Sequence, residues 1–308
     1  MSVQNHGFAA LDRFQANIEE HGFPRAIQEL VSDLAAQRAA IPPLMWKEWC
    51  ANASQHSAFD VLLQDAYSRD ARLKPAGYAG DARTLDYVYL RNPGNQELTP
   101  AGHELFRLTT NVPIAKAVRD RCETLGHYIY QLLKRQQFSA ISCVACGHVR
   151  ELECLTPNLL ERIQYWGMDQ DAETIRACKA QHGSPNFHFE TGAVSDVLQG
   201  RLRLPASDLV YASGLFDYLE SRVARLLLRR MYASLNAGGV MVIPNLSPVN
   251  DEIGYMEAVM DWWMQYRDAT AMAQLAADSF AHAPDCKFEV FSTFDNRVVW
   301  LQVTREPH

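Results

Sequence analysis

The chain reads as an α/β protein, with a doubly wound, mostly parallel sheet of seven strands behind an N-terminal helical region. Three observations predict this. From about residue 138, short apolar runs of strand length alternate with amphipathic stretches, as in βαβ units whose helices cover both faces of a parallel sheet. The last two runs have no helical pattern between them and meet at Asp295-Asn296, which predicts an antiparallel hairpin. Before residue 135, apolar side chains recur at spacings of three and four, the period of a helix.

In chain order, "GFPRAIQELVSDLAAQRAAIPP" places Phe23, Ile27, Leu30, Val31 and Leu34 on one helical face and stops at Pro42-Pro43. "NVPIAKAVRDRCETLGHYIYQLLKRQQ" runs Ile114, Val118, Cys122, Leu125, Ile129 and Leu132 down one face behind an Asn111 cap. Between them, in "RLKPAGYAGDARTLDYVYL", two glycines flank Tyr78-Ala79 ahead of Asp81. This predicts a shaped loop and a candidate lid, or a plain turn with Asp81 as a helix cap. The strands are "AISCVAC", "RIQYWGM", "FHFETG", "SDLVYAS", "GGVMVIPNL", "KFEVFSTF" and "RVVWLQVTR", with helices after at least the first, second and fourth. The expected organisation is a helical domain over 1–135 and a sheet domain over 136–308, interrupted by a helical insertion at about 248–283. In that insertion, "GYMEAVMDWWMQYRDAT" puts Tyr255, Val259, Trp262 and Tyr266 on one helical stripe with Met256, Met260, Trp263 and Arg267 beside it. Glu257 and Asp261, like charges four apart, need compensation there.

Composition excludes several partners. The formal net charge is −7 and the pI near 5.8, with no basic run to neutralise a phosphate backbone, so nucleic acid is not expected. The N-terminus lacks a cationic start and an apolar core, and no run of about 18 apolar residues could span a bilayer; a cytoplasmic protein is expected. Seven scattered cysteines fit a reducing compartment better than a disulfide framework. The oligomeric state is left open, a homodimer included.

The chemistry centres on "AISCVACGHVRELE", a buried strand running into a turn. Cys143 and Cys146 have Cys-x-x-Cys spacing but no second ligand pair, so no metal is expected, and small buried thiols are the better reading. With Gly147 alone, the turn lacks the glycines that a pyrophosphate cradle needs, whereas a nucleoside without phosphates asks less of it. Asp169, twenty-two residues after Gly147 at the end of the second strand, can accept hydrogen bonds from ribose hydroxyls or cap the next helix, with Asp171 sharing that role. In "DLVYASGLFDYLES", Gly214 opens the strand end, and Phe216, Asp217 and Tyr218 project where ligands bind in open parallel sheets. Arg267 among aromatic residues is a natural fork for a carboxylate.

This ordered set, with "LNAGGVMVI" leading the fifth strand, resembles the class I S-adenosylmethionine-dependent methyltransferases over about residues 138 to 246. "KPAGYAGD", "ACGHVRELE" and "NLSPVNDEIGYMEAVMDWWMQYR" resemble more closely the bacterial subfamily of the 3-hydroxypalmitic acid methyl ester synthase. That subfamily commonly carries a single-glycine Ala-Cys-Gly-x-x-Arg-Glu motif, but Ala76 stands here where it often has Arg. The resemblance implies a Rossmann-like fold, S-adenosylmethionine as cofactor with S-adenosylhomocysteine as product, and a small-molecule acceptor. It implies a cofactor site of Ala145, Cys146, Gly147, Arg150 toward the methionine carboxylate, Asp169 and Gln170 at ribose, Val194 and Asp196 near adenine, and Ser213 and Gly214. Acceptor contacts are expected from Phe216, Tyr218, Asn245, Tyr255, Trp263 and Tyr266, and catalytic roles from Tyr78, Asp81, Asp217 and Arg267. A carboxylate acceptor is already ionised and needs no base, whereas a hydroxyl would need one from Asp217, Tyr218, Tyr78 or Asp81. The competing readings are methylation of a hydroxyl or amine, a same-fold enzyme that does not methylate, and a binding module with a degenerate pocket.

Overall fold

The computed structural model describes residues 7–135 and 139–307; the expected domain boundary at 135/136 abuts residues outside that range, and so does the start of the N-terminal stretch. The chain divides into two units. One runs to Arg119 and takes up Asn250–Trp263, and the other comprises Asp120–Val249 with Met264 onward. The division thus falls before residue 135, and only a short part of the expected insertion joins the first unit.

The first unit is helical: α1 (Ala9–His21), α2 (Phe23–Ala40), α3 (Pro43–Ala53), α4 (Ala58–Leu62), α5 (Ala66–Leu73), α6 (Ala82–Leu90), α7 (Pro100–Thr109) and the start of α8 (Pro113–Arg135). Gly22, at φ 78°, breaks α1 from α2, and Pro42 stops α2 as the sequence predicts. Asn111 does not cap α8; its side chain donates 2.7 Å to the carbonyl of Arg107, closing α7 instead. The parallel indoles of Trp46 and Trp49 stack at 4.9 Å inside this unit.

The segment after residue 250 departs from expectation. Its helix covers only Ile253–Ala258, whereas the spacing predicts one face through Tyr266. Asp261 takes a left-handed φ of 48°, and the backbone N–H of Trp262 returns to the carbonyl of Met256. Further on, Gln265 N donates to the carbonyl of Asp217 and Arg267 N to that of Leu246, contacts that an α-helix would have consumed. The like charges find their compensation separately. Buried Glu257 accepts from Arg38 Nε at 2.6 Å and Trp46 Nε1 at 2.7 Å, and Asp261 pairs with Lys74 at 2.5 Å.

Gly254 sets how closely this short helix lies on α2, since a Cβ there would stand 2.6 Å from both the carbonyl carbon and oxygen of Leu34. Those are backbone atoms that cannot rotate aside. Gly254→Ala is expected to cost about 3 kcal/mol in urea unfolding, and a loss under about 0.5 kcal/mol would contradict that packing.

The second unit is built on a seven-stranded sheet in the order β3-β2-β1-β4-β5-β7-β6. Its strands are β1 (Ser139–Val144), β2 (Ile163–Asp169), β3 (Phe187–Thr191), β4 (Ser207–Tyr211), β5 (Leu235–Leu246), β6 (Cys286–Ser292) and β7 (Val298–Arg305). β1 to β5 pair in parallel, while β7 runs antiparallel to both β5 and β6, so the sheet is mixed. The final hairpin turns at Asn296, as expected. After β1 there is no long helix, only a 3₁₀ turn (Arg150–Leu152) and the four-residue α9 (Pro157–Leu160). α10 (Ala172–Gln181) follows β2, α11 (Val194–Leu198) follows β3, α12 (Ser221–Ala233) follows β4, and α14 (Ala269–Phe280) follows the α13 helix at Ile253–Ala258. Leu227, Leu228 and Met231 of α12 and Met272, Leu275 and Phe280 of α14 bury one sheet face. Chain order reverses at β1, which lies between β2 and β4, and this opens a crevice at the carboxyl ends of these strands. Among the described residues, no helix is long and apolar enough to cross a membrane.

Candidate functional site

At that reversal the chain leaves β1 through a turn in which Ala145, Gly147 and Val149 all take left-handed backbones, with φ of 57°, 54° and 52°. Only one of the three is glycine. Left-handed torsions cost an L-residue roughly 1–2 kcal/mol each, and a β-branched valine is an outlier there. The turn is tied to its neighbours on several sides. Cys146 N donates 2.8 Å to the carbonyl of Met168, and the Cys178 thiol donates 3.1 Å to the carbonyl of Gly147. Gly147 N donates 3.0 Å to Asp169 Oδ2. Gly167 on β2 makes room for the turn, because a Cβ there would meet Cys146 Sγ at 3.1 Å.

Asp169 therefore shapes the turn as well as facing the crevice end of β2. Its Oδ1 accepts from Asp171 N at 3.0 Å, and Asp171 in turn caps α10 through the N–H groups of Glu173 and Thr174. Burial raises the Asp169 carboxyl, and the N–H groups of Asp171 and Gly147 pull it back. A carboxylate offers about four acceptor positions, so two remain for a ligand diol.

Beneath the turn lies a buried polar chain that the sequence reading missed. Glu151, on the 3₁₀ turn, accepts a short hydrogen bond from Tyr211 OH, and the hydroxyls of Tyr211 and Tyr165 lie 2.9 Å apart. Burial pushes all three groups above their ordinary values. The thiols of Cys143, through burial, and Cys146, through the Cys178 thiol and burial, are also pushed well up, so they stand as thiols and not as thiolate ligands. All seven cysteines are free, and no group of His, Cys, Asp and Glu among the described residues could hold a metal ion.

The other cofactor candidates lie along the strand ends. Arg150 pairs with Glu153 within its own turn. Gln170 is exposed between β2 and α10, and Val194 opens α11. Asp196 accepts from Ala193 N at 2.8 Å and pairs with Arg201, and the N–H of Ala193 and this arginine hold its carboxyl low. Ser213 and Gly214 are half-buried after β4, where a Cβ on Gly214 would meet an Arg121 guanidinium nitrogen at 3.3 Å.

Asp217 and Arg267, expected in catalysis, and Phe216 and Asn245, expected at the acceptor, form a buried brace. Asp217 is ion-paired with Arg121 at 2.9 Å and accepts from Leu246 N at 2.7 Å, so it is not presented as a base. Arg267 donates to the carbonyls of Phe216 and Leu219 and to Asn245 Oδ1, which engages in the fold much of the fork expected for a substrate carboxylate. Asn245 donates to the carbonyls of Leu246 and Gln265, and the Phe216 ring is wholly buried in the sheet core. Tyr218, by contrast, is exposed, and Tyr266 is half-buried.

The remaining candidates belong to the helical unit. Gly77 and Gly80 take φ of 89° and 72°, which explains the glycine pair around half-buried Tyr78. Asp81 caps α6 through Thr84 N at 2.8 Å, while its buried Oδ2 has no hydrogen-bond partner. Tyr255 OH lies 3.0 Å from Ser68 Oγ, beside Asp65, and Trp263 Nε1 donates to Asp261. Tyr255 also lines a small apolar pocket with Tyr67, Ile27, Val31, Met256 and Met260, with room for about one water.

No family model matches the chain, and no curated protein does. Among solved structures it is similar to a possible exported protein from Bordetella parapertussis, with 17% identity, 74% of this chain and 80% of that one covered, and a TM-score of 0.54. The likeness is one of fold. Weaker similarity reaches an O-methyltransferase family protein from Burkholderia thailandensis, at 15% identity, 67% and 60% coverage and a TM-score of 0.45. Magnesium protoporphyrin IX methyltransferase from Synechocystis PCC 6803, with S-adenosylhomocysteine bound, stands at 11% identity, 73% and 100% coverage and a TM-score of 0.48.

Proposed function

We propose that the chain is a methyltransferase that uses S-adenosylmethionine to methylate a small apolar molecule, with a carboxylate oxygen as the acceptor. The observation that carries this reading is the turn at the strand reversal, where Gly147 N is bound to the carboxylate of Asp169. A crowded turn with one glycine suits a nucleoside and leaves no open cradle for a pyrophosphate. The order of seven strands, the sequence resemblance and the methyltransferases among the similar folds support it.

In this reading Ala145, Cys146 and Gly147 shape the cofactor turn, and Asp169 takes the ribose hydroxyls with Gln170 beside it. Val194 and Asp196 border the adenine, Ser213 and Gly214 complete the crevice, and Arg150 exchanges Glu153 for the methionine carboxylate. The cofactor supplies an activated methyl group, so the protein has only to align an acceptor and exclude water. With Asp217 locked to Arg121, that carboxylate is not offered as a base, which favours an acceptor that is already ionised. A hydroxyl acceptor is the second reading, favoured by the buried Asp81 Oδ2 that lacks a partner. Within the helical unit Tyr78, Tyr255 and Trp263 are the proposed acceptor contacts, and within the sheet unit Tyr218 and Tyr266 are. A hydroxy fatty acid, as in the subfamily that the motifs resemble, is the first acceptor to try, and free thiols suit a reducing cytoplasm.

Purified protein is expected to bind S-adenosylhomocysteine with a dissociation constant of about 1–100 μM by calorimetry. It should then add the mass of one methylene to an acid in a panel of acyl, aromatic and peptidyl carboxylates. No heat of binding and no thermal shift with S-adenosylhomocysteine would sink the proposal.

A further inference from the structure

We infer that Tyr165, Tyr211 and Glu151 form a positioning device that holds the turn after β1 in its ligand-ready shape. This rests on reading that turn as the cofactor cradle. β1 lies between β2 and β4, and Tyr165 on β2 is in register with Ile141 while Tyr211 on β4 is in register with Cys143. Alternate residues of β1 share a face, so the two tyrosines stand on one side of the sheet and their hydroxyls meet across β1 at 2.9 Å. Glu151 closes the chain, linking both flanking strands to the 3₁₀ turn two residues after left-handed Val149.

Position argues for a role beyond packing. Asp169 and Cys178 restrain the turn at Gly147, and Glu151 supplies the side-chain anchor for its second half. α8 closes over the same half, since a Cβ on Gly126 would come 2.7 Å from the Glu151 carbonyl oxygen. A buried carboxyl beside two phenols stabilises a fold less than an aliphatic side chain of similar size would. It does specify one geometry, because the buried carboxyl keeps its hydrogen bond from Tyr211 only while β4 and the 3₁₀ turn hold this separation. A turn with strained residues at Ala145 and Val149 would otherwise relax between visits of the ligand, and the ligand would have to reorder it on binding.

The test compares Tyr211→Phe, Glu151→Gln and Tyr165→Phe in the full chain, reading amide hydrogen exchange of residues 146–152 and calorimetric affinity for S-adenosylhomocysteine. Tyr211→Phe is expected to speed exchange in that segment selectively, with β5 and β7 unchanged, and to weaken S-adenosylhomocysteine about tenfold. Glu151→Gln keeps an oxygen for Tyr211 and is expected to stay within about threefold of wild type. Tyr165→Phe, which leaves the bond from Tyr211 to Glu151 in place, should fall between wild type and Tyr211→Phe and serves if Tyr211→Phe does not fold. Wild-type protection of 146–152 in Tyr211→Phe and Tyr165→Phe would overturn the inference, as would lost protection with unchanged affinity, or Glu151→Gln behaving like Tyr211→Phe. If wild type itself fails to bind S-adenosylhomocysteine, the cofactor reading falls while the exchange result still decides the positioning.

Discussion

Asp169→Ala is expected to weaken S-adenosylhomocysteine binding about 100-fold or more, the largest functional loss of any single change proposed for this chain. The carboxylate has two uses. It accepts from Gly147 N and Asp171 N, which fixes the turn against β2, and in the proposed complex its remaining lone pairs accept from the ribose hydroxyls. Each charge-assisted hydrogen bond contributes about 1.5–3 kcal/mol, so losing the ribose pair alone accounts for the expected factor. Asp169→Asn separates the two uses. Its single carbonyl oxygen can serve Gly147 or Asp171 but not both, and its amide donates where acceptance is needed, so a loss of about tenfold or more is expected with a smaller change in stability. Calorimetry with S-adenosylhomocysteine, paired with urea unfolding, makes the check. Near-wild-type affinity in Asp169→Ala would remove Asp169 from the cofactor site.

Much of the sheet could be read from residues alone because its strands are short, apolar and punctuated. "DLVYAS" is too short for a helix of that polarity and is followed by glycine, and the final hairpin has a turn dipeptide and no room for a crossover. The stretch from Val259 to Tyr266 misled for the opposite reason. Its apolar spacing is that of a helix, but its backbone is claimed by tertiary partners such as the carbonyls of Asp217 and Leu246, and a periodicity carries no record of those. The same limit applies to the site. Asp217 at a strand end looks like a base until Arg121, ninety-six residues earlier, is seen beside it. Arg121 adjoins Cys122 on the apolar stripe of α8 and gave no sign of being buried. Glycine counting allowed a left-handed backbone at Gly147 alone, whereas Ala145 and Val149 adopt the same torsions in a turn restrained by neighbours distant in sequence. Asp171 was legible as a cap because capping is local, set by residues two and three positions on.

Arg121→Met is expected to destabilise the protein by about 3–5 kcal/mol near pH 8, the largest stability loss among these changes. Methionine fills much of the volume but leaves Asp217 buried, with Leu246 N as its remaining donor from that pair. In the native protein burial already raises the Asp217 carboxyl, and Arg121 is the chief influence pulling it down. Removing the guanidinium lets it rise further. A carboxyl whose native pKa exceeds its unfolded value binds protons more readily when folded, so its contribution is most favourable below the unfolded pKa and is lost as pH rises through the native one. The deficit of Arg121→Met should therefore be largest at about pH 8 and shrink toward about pH 5, as protonation makes the stranded group cheaper to bury. Adding Asp217→Asn in the same chain removes the charge and should recover part of the loss at the higher pH while flattening the pH dependence. Urea unfolding of the wild type and the single and double variants at both pH values decides it. A deficit independent of pH would mean that Arg121 acts by packing alone, and a deficit under about 1 kcal/mol would mean that the brace at the ends of β4 and β5 does not depend on this pair.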